Sequence, residues 1–126
     1  MKRLSRDKHV YVLDPQNSPA ITIDSSEELM VETWDAFEGE RDPDVLNATE
    51  LKGGATGPIY VNGAQPGDAL KIEFLSIVPK EGAAHMVMPG RGFLDGDFTQ
   101  GYATVIEFKD GQAVLPSGVK LPLAPS

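Results

Sequence analysis

Tyr102-Ala103-Thr104-Val105-Ile106-Glu107-Phe108, continued by Lys109-Asp110-Gly111-Gln112 and Ala113-Val114-Leu115, is the stretch that sets the fold class. Its first seven residues are mostly β-branched and aromatic, side chains that suit a pleated, half-buried surface. Asp110-Gly111 places two residues that tolerate positive φ where a tight hairpin needs them. The reading is therefore strand, two-residue turn, returning strand. A last short strand at residues 119–121 is closed by Pro122, which has no N–H to give a ladder.

Short apolar segments of period two continue outward from this hairpin. Residues 9–13 (HVYVL), 20–23 (AITI), 59–61 and 69–78 read as strands, the first two divided by the loop Asp14-Pro15-Gln16-Asn17-Ser18-Pro19. Residues 29–37 (LMVETWDAF) follow Ser25-Ser26-Glu27-Glu28, a pattern that also caps helices. Val31, Thr33 and Trp34 are poor helix formers and Gly39 soon ends the run, so a strand is expected. In Ala64-Gln65-Pro66-Gly67-Asp68 proline presets one turn position and glycine supplies positive φ at the next. Asp68 then reads as the turn acid that opens the strand at 69–78. Residues 40–54 have the composition of a long loop, a kind of segment that is usually functional or mobile. The expectation is one all-β domain over residues 1–126, a sandwich or distorted barrel with many tight turns and little helix.

The 126 residues are enough for one domain with a core, and the 13 glycines and 10 prolines favour turns over long helices. Absence of cysteine removes disulfide frameworks, thiolate zinc sites and cysteine nucleophiles together. A net charge of −8 argues against nucleic acid, whose phosphates need a basic face. Lys2, Arg3, Arg6 and Lys8 are gathered at the start, whereas Asp24 to Glu50 holds ten acids and the single base Arg41. A solvated acidic face and a cation site both fit that block. No apolar run approaches the ~20 residues of a membrane span, so a soluble, cytoplasmic protein is expected.

Common catalytic motifs are missing: there is no Gly-x-Ser-x-Gly elbow, phosphate loop or His-Glu-x-x-His. His85, between Ala84 and Met86, reads as a partly buried structural histidine, with metal ligand or base as the alternative. Glu32 and Asp35 flank Trp34 and precede Phe37. Carboxylates among aromatic rings lose water, which raises their pKa unless a cation or hydrogen-bond donors compensate. Such a group suits a general base or an oxygen ligand to a hard metal. In one strand the two would point to opposite faces. The glycine-rich stretch Pro89 to Phe98 is equally a binding loop or a plain connection.

Glu32-Thr33-Trp34-Asp35-Ala36-Phe37-Glu38-Gly39 and Thr56-Gly57-Pro58-Ile59-Tyr60-Val61-Asn62-Gly63-Ala64-Gln65-Pro66-Gly67-Asp68-Ala69-Leu70 resemble the acetamidase/formamidase family. Residues 90–98 and 116–123 are similar to it as well. Gln65 stands where an acid is common in that family, and Glu40 where glutamine is common. The resemblance is to the N-terminal, β-rich part of longer proteins. Their later Gly-Gly-Asn-x-Asp and Gly-Asp-Gly-Glu stretches have no counterpart here.

The resemblance implies hydrolysis of a short linear amide, such as formamide or acetamide, to ammonia and a carboxylate. It implies a divalent metal ion such as zinc, which would supply an activated water. On that expectation Asp35 and Glu32 are the catalytic carboxylates, and Asp35, Glu32 and His85 the metal ligands. Gly57, Asn62 and Gly63 would bind substrate, backbone N–H groups near the glycines serving the oxyanion. The expected partners are a small amide and either a second copy, as a homodimer, or a second chain that carries the rest of the family fold. The alternative is a catalytically silent β-domain.

Overall fold

The structure is a computed structural model describing residues 1–48, 53–79, 82–93 and 96–123. In chain order its elements are β1 (Lys2–Leu4), β2 (His9–Val10), β3 (Ile21–Ile23), β4 (Leu29–Val31), α1 (Pro43–Ala48), β5 (Ala55–Thr56), β6 (Ile59–Val61), β7 (Ala83–Val87), β8 (Tyr102–Lys109), β9 (Gln112–Val114) and β10 (Lys120–Pro122). The class is all-β, as the hairpin sequence indicates. The chain divides into two compact units, one of Met1–Glu38 with Lys52–Glu73 and one of Gly39–Leu51 with Phe74–Ser126.

Among the described residues, the first unit holds three two-stranded ladders. β1 runs parallel to β4 with Leu4 opposite Val31, and β3 runs parallel to β6 with Thr22 opposite Tyr60. Parallel partners need long crossovers, and here each crossover carries other strands: β2 and β3 lie between β1 and β4. β2 pairs antiparallel with β5, placing His9 opposite Thr56. Leu4, only 2% exposed, is the buried apolar anchor of this unit. Asn62 ties the end of β6 to the β3–β4 turn, donating through Nδ2 to Asp24 at 2.7 Å and through its backbone N–H to Ile23 at 2.8 Å.

The second unit is one antiparallel sheet in the order β10-β9-β8-β7. Lys109 faces Gln112 across the two-residue turn, where Asp110 and Gly111 have φ of 52° and 71°, as the hairpin reading requires. β8 is long enough for its first half to pair with β7 and its second half with β9. The residue before β7, Gly82, approaches β8 closely within this sheet: a Cβ there would stand 2.7 Å from the carbonyl oxygen of Ile106. α1 packs against β8, with Leu46 fully buried.

Three expectations change. Part of the segment read as a loop, residues 40–54, contains α1. Its entry is made by Asp42, whose side chain accepts the Asp44 N–H at 2.9 Å and whose carbonyl accepts that of Leu46 at 2.8 Å. Pro43 occupies the first helical position, where its missing N–H costs nothing. Residues 69–78 form no ladder among the described residues, although their apolar alternation reads as a strand. Residues 29–37 form a strand only over β4, so Glu32 and Asp35 are not opposite faces of one strand. No described helix is long and apolar enough to cross a membrane.

Candidate active site

Glu32 is positioned by the parallel pairing of β1 and β4. Its backbone N–H donates to Leu4 O at 3.0 Å, which sets its side chain beside Arg3, and the two form an ion pair. Thr56 Oγ1 donates to the Glu32 carbonyl at 2.8 Å, so β5 holds the same residue from the other side. The Arg3 hydrogen bond holds the Glu32 carboxyl below the usual carboxylate range; partial burial opposes it, and charge and backbone contacts from Arg3 and Arg6 add to it. Desolvation by rings therefore does not win at Glu32. The neighbouring Trp34 ring is instead covered by the Arg6 guanidinium, 3.6 Å from its centroid.

Asp35 opens a turn and is exposed. Its Oδ1 accepts the Phe37 N–H at 2.9 Å, and its carbonyl accepts the Glu38 N–H at 3.0 Å. Glu38 has φ of 54° in this turn, and its side chain accepts a hydrogen bond from Tyr11. Tyr11 Oη in turn lies 3.1 Å from His9 Nε2, and His9 Nδ1 lies 2.8 Å from the Arg6 carbonyl. The rings of His9 and Tyr11 meet edge to face at 5.1 Å. Glu38 is the main cause of a raised Tyr11 pKa, because its carboxylate stabilises the protonated phenol.

An open cleft of about 330 Å³ lies beside the β2–β5 ladder, at the small end of ligand-site volumes. Val10, Leu13 and Pro58 give it apolar walls, and Asp14, Asn17, Thr56 and Gly57 are its polar members. Glu32 does not line this cleft, although its carbonyl accepts the hydrogen bond of Thr56, which does. The polar rim also serves the local fold: Asp14 Oδ1 accepts the Gln16 N–H and Asn17 Nδ2 donates to Val12 O, each at 2.7 Å.

Gly57 lines the cleft, whereas Asn62 and Gly63 lie at the far end of β6 and do not. The Gly57 N–H already donates to the Lys8 carbonyl at 2.9 Å, so it does not serve as the expected oxyanion donor in this arrangement. Asn62 is committed to Asp24 and Ile23, as described above. Asp68 closes its own turn, accepting the Gln65 N–H on its side chain at 2.8 Å while its N–H donates to Gln65 O at 3.0 Å.

His85 lies on β7 in the second unit and is exposed, not partly buried. Among the described residues no three metal-capable side chains converge. Glu32 is engaged by Arg3 and Asp35 by its own turn, so the described residues do not fit a metal ion. In the glycine-rich stretch, Gly90 and Gly92 adopt positive φ and Phe93 is fully exposed, whereas Leu94 and Asp95 lie outside the described residues.

The sequence reading missed Arg3, Arg6, Tyr11 and Glu38. Its signal was the charge asymmetry itself: a basic start and an acidic middle are complementary blocks, and the β1–β4 ladder brings them together.

The described residues thus form an all-β chain with an Arg3–Glu32 ion pair, a Tyr11–Glu38 hydrogen bond and a small cleft. The profile of the acetamidase/formamidase family matches residues 7–120, and the chain belongs to that family. The solved acetamidase of Bacillus halodurans is 28% identical, with a TM-score of 0.85 over 95% of this chain and 42% of its own. A protein of the thermophile Thermoanaerobacter tengcongensis, described as a predicted acetamidase/formamidase, is 33% identical, with a TM-score of 0.84 over 96% of this chain and 42% of its own. The chain thus spans 42% of the length of these solved relatives. No match is found among curated proteins.

Proposed function

We propose that this chain supplies part of an amide hydrolase acting on short linear amides of the formamide and acetamide type. The observation that carries this reading is the agreement of 95% of the chain with an acetamidase at a TM-score of 0.85. In the reaction a water oxygen bonds to the amide carbonyl carbon, the C–N bond breaks, and nitrogen takes up a proton to leave as ammonia. A base must accept the water proton, and a donor must serve the leaving nitrogen. Asp35, exposed on a turn, is the base candidate of this chain. Glu32, kept ionised by Arg3, contributes a fixed charge. Among the described residues the Gly57 N–H is already engaged and no metal-ligand cluster forms, so in this reading the remainder of the family fold supplies the oxyanion support.

The second reading is a β-module that is silent by itself, favoured by the 42% share of the relatives' length. Ammonia release from formamide and acetamide by the purified chain, with and without added zinc, separates the two. Turnover by the isolated chain supports hydrolysis unaided. A folded chain with no turnover under either condition assigns it to the module reading.

A further inference from the structure

Asn62-Gly63 is the one place in the chain where asparagine precedes glycine; Asn17 precedes Ser18 and Asn47 precedes Ala48. The pair stands just past β6, inside a turn closed by the Ala64 N–H on the Val61 carbonyl at 3.2 Å. Gly63 takes φ of 81° at the third position of that turn, which glycine alone adopts freely. Both residues are exposed, and a Cβ at Gly63 would meet nothing within 4 Å. Among the described residues the Gly63 N–H has no hydrogen-bond partner. A backbone nitrogen free of both side-chain cover and hydrogen bonding is open to reaction with the carboxamide before it. The Gly63 nitrogen gives its proton to hydroxide and bonds to Asn62 Cγ. The Cγ–Nδ2 bond then breaks, and Nδ2 takes up a proton and leaves as ammonia. Water opens the resulting five-membered imide at either carbonyl, giving aspartate or its β-linked isomer. The sum is asparagine plus water to acid plus ammonia, with no further reactant.

Two contacts oppose ring closure. Asn62 Nδ2 donates to Asp24 Oδ1 at 2.7 Å, and the Asn62 backbone N–H donates to the Ile23 carbonyl at 2.8 Å. The first turns the carboxamide toward the β3–β4 turn and must break before Cγ can swing over the Gly63 nitrogen. A hydrogen bond to a carboxylate is stronger than one between neutral groups, so this contact is the main restraint. We infer that Asn62-Gly63 is a deamidation site of the folded protein, and that Asp24 sets its rate by holding the Asn62 side chain away from the Gly63 nitrogen. Conversion removes the donor and puts a second carboxylate against Asp24, where the β3–β6 ladder ends. The tie between β6 and the β3–β4 turn becomes a like-charge contact, so the change runs one way and loosens the first unit. It needs neither turnover nor a metal.

The full chain is incubated at neutral and mildly alkaline pH, folded and in urea. Conversion is read as NH2 replaced by OH in the tryptic peptide of residues 53–71, where Asn62 is the sole asparagine. In the folded chain Asn62 converts about tenfold or more slowly than in urea, faster at the higher pH, and ahead of Asn17 and Asn47. Asp24→Ala raises the folded rate by about fivefold or more and leaves the urea rate unchanged. A folded Asp24→Ala rate within about twofold of wild type overturns the inference, because a lost charge-assisted hydrogen bond is worth more than that. Conversion of Asn17 or Asn47 ahead of Asn62 in the folded chain overturns it as well. If Asp24→Ala does not melt cooperatively, Asp24→Asn decides, since its Oδ1 keeps a weaker, neutral hydrogen bond. A rate between those of folded wild type and the chain in urea supports the inference, and the folded wild-type rate overturns it. Asn62→Asp melts below wild type; an equal or higher Tm overturns the loosening.

Discussion

Arg3 and Glu32 are joined as an ion pair because β1 and β4 run parallel in register, bringing the basic start of the chain beside its acidic middle. The guanidinium lowers the Glu32 pKa, and a depressed carboxylate makes stability depend on acid. The unfolded chain has the ordinary value of 4.5 and the folded chain a lower one. The stabilisation is thus complete above 4.5 and is lost as pH falls through the lowered folded value. Glu27, held down by the Asp24 N–H and by Lys2, acts with the same sign. Glu32→Gln flattens the fall of Tm between neutral and acid pH relative to wild type. Equal slopes in thermal melts would show that the pair contributes nothing.

Tyr11 should titrate late. Its hydroxyl donates to Glu38, so removing the proton places two negative charges together, and its pKa lies above the ordinary 10.0. Ultraviolet titration of wild type, Tyr11→Phe and Glu38→Gln isolates it among the three tyrosines. Tyr11→Phe removes a late phase, and Glu38→Gln moves that phase down in pH. A Glu38→Gln curve that superposes on wild type would refute the assignment.

Gly82 needs to be glycine for two reasons: φ of 76° and an Ile106 carbonyl 2.7 Å from any added Cβ. Gly63 has φ of 81° but open space. Gly63→Ala carries the backbone strain alone, about 1 kcal/mol, and Gly82→Ala costs more, about 2–3 kcal/mol, because β7 must also move from β8. Urea unfolding of both variants measures the difference. Equal losses would mean that the sheet yields without cost.

Asp42 and Leu46 hold α1 by different means. Asp42→Ala removes the side-chain acceptor of the first turn and costs about 1 kcal/mol. Leu46→Ala empties the buried contact with the sheet and costs about 2–5 kcal/mol. If Asp42→Ala were the costlier in equilibrium unfolding, local capping would outweigh packing in this unit.

Asp35→Asn separates shape from charge. Asparagine keeps an Oδ1 that accepts the Phe37 N–H, so the turn survives while the negative charge is removed. In an active assembly turnover falls about 10²–10⁴-fold if Asp35 is the base. A change below about threefold would leave it a turn residue, as general-base losses are far larger.

The strands of the second unit were legible because their partners are neighbours in sequence. Residues 102–115 contain both strands and the turn that joins them, and the Asp110-Gly111 backbone preference acts locally. Turn chemistry was equally legible at Asp68, which closes on Gln65 three residues away. By contrast, residues 69–78 have the alternation of a strand but no partner among the described residues, because alternation records a need for cover and not what provides it. α1 hid in a loop-like composition because its support comes from one capping residue and from burial of Leu46 against β8.

From the amino acids alone came the all-β class, the hairpin register, the exclusion of cysteine chemistry and the family motifs; each depends on residues close in the chain. Tertiary structure alone decided that Arg3 neutralises Glu32, that Arg6 covers Trp34, and that Tyr11 joins His9 to Glu38. Those contacts follow from parallel ladders and a turn that unite residues some thirty positions apart. The physical reason is that a carboxylate's state depends on the nearest cation in space, whereas its place in the chain reveals only its nearest neighbours in sequence.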